Sequence, residues 1–317
     1  MRTGPPPIEL LRRGASRLVA SVLGAVAALA LAGCHPETAE ARRLDAACAQ
    51  GTTAACSQLA ERLRQGRHVL RDDGRAAALF ERACTGGVGD GCASLGVMVE
   101  QGRGARRDSA RAIALFRQGC ERRGLDGCTR LGVHHEQGTG VPRDVARAAA
   151  LYDRACAGGE LVGCARLGAL HAAGTGVSTD VARAAALFDR ACDARVPLGC
   201  LGLARLHRRG AGVARSDSLA VALLERACDG DETVACFELG AIYERGEGAA
   251  QDYQRAARLY DAACDERHGE ACARLGAMHA NGAGVGRDPE RARALAGRAC
   301  EVGHRPSCPP PAAPARS

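Results

Sequence analysis

Lysine and tryptophan are absent from this 317-residue chain, and four Phe and four Tyr bring aromatic residues to only 3%. Without lysine, all 43 basic residues are arginine. A phosphate-binding G-x-x-x-x-G-K-[ST] loop, an S-x-x-K nucleophile pair and a K-T-G box are therefore excluded. No G-x-S-x-G elbow and no H-x-H-x-D cluster occurs either. Hydrophobic residues reach 46%, but the commonest of them is Ala. So little bulky apolar mass argues against one large core and for many thin, repeated ones. Long blocks of one charge are missing too. Of the net +7, residues 1–33 carry +3 (Arg2, Arg12, Arg13 and Arg17 against Glu9), and elsewhere Arg alternates with Asp and Glu. Nucleic-acid binding would want a basic stripe interleaved with stacking rings, so no nucleic-acid partner is expected.

Arg12, Arg13 and Arg17 precede a fifteen-residue apolar run, Leu18 to Ala32. The run is too short to cross a bilayer and has the layout of a secretory signal. It closes on Leu31-Ala32-Gly33-Cys34, which resembles the lipobox of bacterial lipoproteins. That resemblance implies cleavage before Cys34, acylation of its sulfur, and a lipid anchor that buries about 0.8 kcal/mol per methylene. His35, where an inner-membrane retention signal would show Asp, implies the outer membrane facing the periplasm, or a secreted or surface location.

The other sixteen cysteines are strictly periodic. Cys48, Cys84, Cys120, Cys156, Cys192, Cys228, Cys264 and Cys300 are each 36 residues apart. Each has a partner eight residues on: Cys56, Cys92, Cys128, Cys164, Cys200, Cys236, Cys272 and Cys308. A register unbroken over that length is an internal repeat. The unit beginning at Cys120 predicts a first helix over Leu125–Gln137, a break at Gly138 and Gly140, and a cap at Asp144. An Ala- and Leu-rich second helix then runs to Cys156.

The columns agree. The helix-stopping Gly recurs from Gly66 to Gly282, and the cap column reads Asp72, Asp108, Asp144, Asp180, Ser216, Asp252 and Asp288. An invariant Ala column (Ala76 to Ala292) and an invariant Leu column (Leu79 to Leu295) accompany a mostly aromatic one. The last reads Phe80, Phe116, Tyr152, Phe188, Leu224, Tyr260 and Ala296. Small residues let helices approach closely while Leu and a ring fill the space between them.

L-G-x-x-[Y/H], G-x-G-V, D-x-x-R-A and A-x-x-x-[F/Y]-x-x-A together resemble the Sel-one-like repeat (SLR), a relative of the tetratricopeptide repeat. With C-x7-C in every unit the chain looks like the bacterial cysteine-rich Hcp type. The resemblance covers residues 41–308 and implies an all-α fold. That fold is a right-handed α/α superhelical solenoid of seven 36-residue helix pairs, each stapled by a C-x7-C disulfide. Residues 34–40 are then a short tether and residues 309–317 a Pro-rich disordered tail. Departures are His68 in place of the second loop Gly, and Ala296, which loses the ring.

A tight turn between the two cysteines would bring their Cα atoms near the 5–6 Å of a disulfide, and an exported compartment would keep them oxidised. Cys34 is the odd one of seventeen, and lipidation would remove it. Zinc would want four converging ligands at closer spacing, so no metal is expected, nor any other cofactor. His135, His171, His207 and His279 share one column, but equivalent positions in successive repeats are too far apart to share one ion. They are expected as packed imidazoles.

The remaining expectation is a non-catalytic, monomeric protein- or peptide-binding scaffold. Its concave face would present Glu100, Gln101, Glu136, Gln137, Arg208, Arg209, Glu244 and Arg245, which vary while the packing columns do not. Hcp-type proteins also carry a β-lactamase label, so β-lactam binding or hydrolysis is the alternative, and a passive envelope spacer a third reading. The sequence offers no catalytic residues for the second.

Overall fold

A Gly stop after one helix and an Asp or Ser cap before the next, recurring in every repeat, limit the chain to short helices, and the computed structural model shows fifteen among the residues it describes, 39–308. The expected signal segment, Cys34, most of the tether and the Pro-rich tail lie outside those residues. By chain order the helices are α1 (Ala39–Ala49), α2 (Thr53–Gln65), α3 (Asp73–Thr85), α4 (Gly89–Gln101) and α5 (Ser109–Glu121). Then follow α6 (Leu125–Gln137), α7 (Val145–Ala157), α8 (Leu161–Ala173), α9 (Val181–Asp193) and α10 (Pro197–Arg209). The series ends with α11 (Asp217–Cys228), α12 (Thr233–Arg245), α13 (Tyr253–Asp265), α14 (Gly269–Asn281) and α15 (Pro289–Glu301). Even-numbered helices are the first helices of the seven predicted pairs, and the odd-numbered helices from α3 to α15 are the second helices. The expected bounds of the Cys120 unit hold to within a residue. Among the described residues, helix α1 is a second helix with no first helix before it, ahead of the first full repeat.

Two compact units divide at Gly127. In the first, each helix from α1 to α5 packs on the next. In the second, the same succession runs from α7 to α15, and the first helices α8 and α10 also touch. Beyond α15 a 3-10 turn, Arg305–Ser307, ends the repeats.

The cap column explains why every loop within a helix pair has one length. The carboxylate of Asp180 accepts the Arg183 N–H at 2.8 Å, while the Asp180 N–H donates back to the His171 carbonyl at 3.0 Å. Ser216 does the same, accepting from Leu219 at 3.3 Å and donating to His207 at 3.1 Å. One residue therefore satisfies orphan groups at both the end of the first helix and the start of the second. Gly174, at φ 64°, supplies the left-handed turn that the loop requires. At position 68, where the repeat otherwise has glycine, His68 adopts φ 56°.

The packing columns are buried as their composition demands. Ala76, Ala112, Ala148, Ala184, Ala220 and Ala256 are fully buried, as are Phe116, Tyr152 and Tyr260. Phe116, Tyr152, Phe188 and Tyr260 each lie over a glycine of their own first helix, whereas the first helix paired with Phe80 has the buried Ala60 at that position. A Cβ on Gly132 would stand 2.5 Å from the Tyr152 ring, and one on Gly240 would stand 2.8 Å from Tyr260. Where the ring is replaced by Leu224, the glycine is replaced by Ala204.

Every described Cys pair is bonded. The bridges run from the end of a second helix to the opening turn of the next first helix, as in Cys48–Cys56, Cys84–Cys92 and Cys192–Cys200. Cys156–Cys164, Cys228–Cys236 and Cys264–Cys272 follow the same path, Cys300–Cys308 ties the end of α15 to the residue after the 3-10 turn, and Cys120 and Cys128 are disulfide-bonded as well. In Cys48–Cys56, Cys84–Cys92 and Cys192–Cys200 the Cα atoms stand 4.5–4.8 Å apart, closer than the expected 5–6 Å, because both ends sit inside helices joined by a three-residue turn. An arginine column reinforces these junctions. Arg82, Arg226 and Arg298 donate to the carbonyls of Cys48, Cys192 and Cys264 at 2.9, 2.8 and 3.1 Å, neutralising helix C-termini. A second column links successive second helices through exposed ion pairs, such as Arg183–Asp153 at 3.0 Å and Arg255–Glu225 at 2.6 Å. Each of these contributes at most about 1 kcal/mol.

Candidate interaction surface

The variable residues at the ends of the first helices divide into two kinds. Gln101, Gln137, Arg209 and Arg245 are exposed, whereas Glu100, Glu136, Arg208 and Glu244 are half-buried. Of the half-buried set, two carboxylates belong to the packing. Glu136 accepts the Tyr152 hydroxyl at 2.6 Å and pairs with Arg166 of the following first helix at 3.7 Å. Three repeats later Glu244 accepts the Tyr260 hydroxyl at 2.6 Å and pairs with Arg274 at 3.6 Å. These Tyr–Glu–Arg groups join one first helix to the next, a use that spacing alone does not reveal. The co-occurrence of Glu with Tyr in the two columns was the available signal.

Burial, and then the carboxylate beside each hydroxyl, push the Tyr152 and Tyr260 phenols well above the usual tyrosine range. An upward shift of an acid means that folding favours its neutral form. This contribution is complete below about pH 10, the unfolded value, and is lost as pH rises beyond it. The urea midpoint is therefore expected to fall between about pH 9 and about pH 11.5, and to fall less in the Tyr152→Phe/Tyr260→Phe double variant. Equal losses in both proteins would contradict the coupling.

Arg205 and Arg208 converge on one carboxylate, Glu238, at 2.6 and 3.3 Å. With Arg209, Arg215, Asp217 and Glu247 they line an open, polar cavity of about 550 Å³ in the second unit. The exposed Arg245 pairs with Glu247 at 2.9 Å. In the first unit a polar cavity of about 610 Å³ lies over α2, lined by residues such as Gln58, Glu61, Gln65 and Asp90.

The histidine column proves to be a loop anchor. Nδ1 of His171, His207 and His279 lies 3.2, 2.9 and 3.3 Å from the carbonyls of Ser178, Ala214 and Gly286, each seven residues on. His134 turns elsewhere, to the Thr139 carbonyl and hydroxyl. His135 is buried with neither ring nitrogen hydrogen-bonded. Among the described residues no group of three or more His, Cys, Asp or Glu is placed to hold a metal ion.

A family model for the Sel1 repeat matches seven consecutive segments: 53–88, 89–123, 125–160, 161–195, 197–232, 233–268 and 269–304. Each matched segment is one helix pair with its loop. The chain is a Sel1-repeat protein. Among solved structures it is similar to a protective antigen of uropathogenic Escherichia coli that displays an SLR fold, at 27% identity and a TM-score of 0.57. That match covers 83% of this chain and 57% of the antigen, so the chain spans little more than half of that relative. A Sel1 repeat protein from Oxalobacter formigenes matches at 24% identity and a TM-score of 0.62, over 84% of this chain and 77% of that one. Cysteine-rich protein B of Helicobacter pylori matches at 26% identity and a TM-score of 0.34, over 41% of this chain and 93% of that one. A search of curated proteins returns no significant match. Sel1-repeat proteins mediate protein–protein interaction. The many disulfide-bonded pairs suggest an extracytoplasmic member, since such bonds form and persist in oxidising compartments and are rare in the cytosol. No helix among the described residues is long and apolar enough to cross a membrane.

Proposed function

We propose that this Sel1-repeat protein is a non-catalytic scaffold of the bacterial cell envelope, anchored through an acylated Cys34 and engaging a protein or peptide through its first helices. The observation that carries the reading is a contrast within each repeat. Cap, Ala and Leu columns are constant or nearly so and their side chains are committed to the frame, while the exposed column at the end of the first helices reads Gln65, Gln101, Gln137, Ala173, Arg209, Arg245 and Asn281. A solenoid that only spaced two points would have no use for that variation on one face. The anchor is supported by Leu31-Ala32-Gly33-Cys34 and by the parity of the cysteines. An outer-membrane position facing the periplasm follows from His35.

Two measurements test the halves of this proposal separately. Cys34→Ala is expected to abolish palmitate labelling and to move the protein from the membrane to the soluble fraction. Unchanged labelling would rule out the anchor. A photo-cross-linking residue placed at 101, 137 or 209 is expected to trap a partner in non-reducing gels. The same residue at 258, on a second helix, is expected to trap none. Equal trapping at all four positions would remove the first-helix face as the binding surface.

A further inference from the structure

Successive first helices of the second unit meet at one recurring position, and at two junctions that position is polar and filled. There a tyrosine hydroxyl, a glutamate and an arginine from the next helix close it: Tyr152, Glu136 and Arg166, and again Tyr260, Glu244 and Arg274. At the junction of α8 and α10 all three members change together. Phe188 replaces the tyrosine, Ala172 the glutamate and Gly202 the arginine. The Phe188 ring lies against Gly202, where an added Cβ would stand 2.3 Å from it, so no larger residue fits there while the ring stays in place.

What results is an open apolar socket of about 210 Å³, with Phe188 at its floor, Ala169, Ala172 and Ala173 on one wall and Leu201 and Leu206 on the other. No other first helix has alanine at all three of the positions occupied by 169, 172 and 173. Its volume is below that of pockets for drug-sized ligands, about 300 Å³ and upward, and suits one large apolar side chain. Arg205 and Arg209 stand at its edge and also line the arginine-rich cavity beside it. Arg209 has no hydrogen-bond or ion-pair partner among the described residues, and Arg205 shares Glu238 with Arg208. The rim is thus left with unneutralised positive charge.

We infer that this socket is the anchor point for a peptide segment of another protein, one that inserts a large apolar side chain over Phe188 and places an Asp or Glu beside it against Arg209 and Arg205. The inference rests on the scaffold reading above and adds where, and by what chemistry, the partner is gripped. Charge complementarity selects the occupant. The chain's own residues 309–317 contain Arg316 and no acid, and so do not match the rim. Apolar contact over the ring supplies the affinity, and the flanking carboxylate sets the direction and register of the segment.

The test uses a displayed library of random nine-residue peptides panned on the oxidised full-length protein, with binding of the recovered peptides measured by fluorescence anisotropy. Recovered sequences are expected to carry Leu, Phe, Met or Ile within two positions of Asp or Glu. Ala172→Glu, which rebuilds the acid of the other junctions, and Arg209→Glu, an exposed change that disturbs no contact, are each expected to weaken binding at least about tenfold. Arg258→Glu, on a second helix, is expected to change it less than about twofold, and all three variants should keep the native helical signal. Recovered peptides that lack the apolar–acidic pattern, or that bind both socket variants as well as the native chain, would overturn the socket while leaving the scaffold reading intact. Recovery of no binding peptide at all would count against both. Self-association abolished by Ala172→Glu would assign the socket to a second copy and overturn the proposed occupant.

Discussion

Treated with a phosphine reductant and alkylated, the protein is expected to lose its cooperative helical structure at 37 °C. Each bridge closes a loop of about nine residues, worth about 2.5 kcal/mol in restricted unfolded chain, so eight sum to about 20 kcal/mol. Whole domains are stable by only about 5–15 kcal/mol. The Ala-rich packing that would remain joins thirteen-residue helices, which are marginal in isolation. Loss should be graded. Cys300 and Cys308 are both half-buried at the end of the repeats, whereas Cys48, Cys92, Cys164 and Cys264 are fully buried. The terminal bridge is therefore expected to be alkylated first and the inner ones only as the chain opens. Far-UV circular dichroism, with mass spectrometry of the alkylated intermediates, checks both statements. A fully reduced chain with an unchanged melting curve would show that the bridges are dispensable.

The second large effect concerns the rings over the first-helix glycines. Gly132→Val is expected to destabilise the protein by about 3 kcal/mol, since a well-packed site forced to accept added carbons typically loses 1–3 kcal/mol. Here the added Cβ would lie 2.5 Å from Cε1 and 2.9 Å from Cδ1 of Tyr152, a ring that has no exposed side to move towards. Valine's weak helix propensity recovers little of that cost. Gly297→Ala should do the opposite. It sits in α15 with nothing within 4 Å of an added Cβ, so alanine's propensity should stabilise by about 1 kcal/mol. Urea unfolding of the two variants beside the native protein measures both. A neutral Gly132→Val would mean that the ring does not need the glycine, and that the Gly beneath Phe116, Tyr152, Phe188 and Tyr260 has another cause.

Much of the frame was legible because it is periodic. The 36-residue spacing, the Asp and Ser caps and the Gly stops each state a local rule, and local rules can be read along a chain. The helix over Leu125–Gln137 follows from Gly138 and the apolar pattern alone. Contacts that join one repeat to another were less visible. Arg226 reaches the Cys192 carbonyl 34 residues back, and nothing near Arg226 in sequence names that target. Glu136 and Glu244 looked like variable surface because the hydroxyls that hold them are 16 residues away on the second helix. The histidine column reads as packed imidazoles in the sequence, but the loop carbonyls that hold His171, His207 and His279 do not show there. The α8–α10 socket depends on three substitutions in three separate columns. Only their meeting in space shows that they are one change.

The placement of the bridges has a mechanical consequence. Each one joins a second helix to the next first helix, or, in Cys300–Cys308, to the turn beyond α15, and locks a span of eight residues out of every 36. A chain pulled from its ends can then release only 28 residues of slack per repeat, about 95–100 Å instead of some 125 Å. Cutting the backbone has two different outcomes. A nick inside a Cys-x7-Cys turn leaves both fragments covalently joined, while a nick in the loop between paired helices, such as 174–180, severs the chain. The protein is therefore armoured at the junctions between its repeats and vulnerable within them.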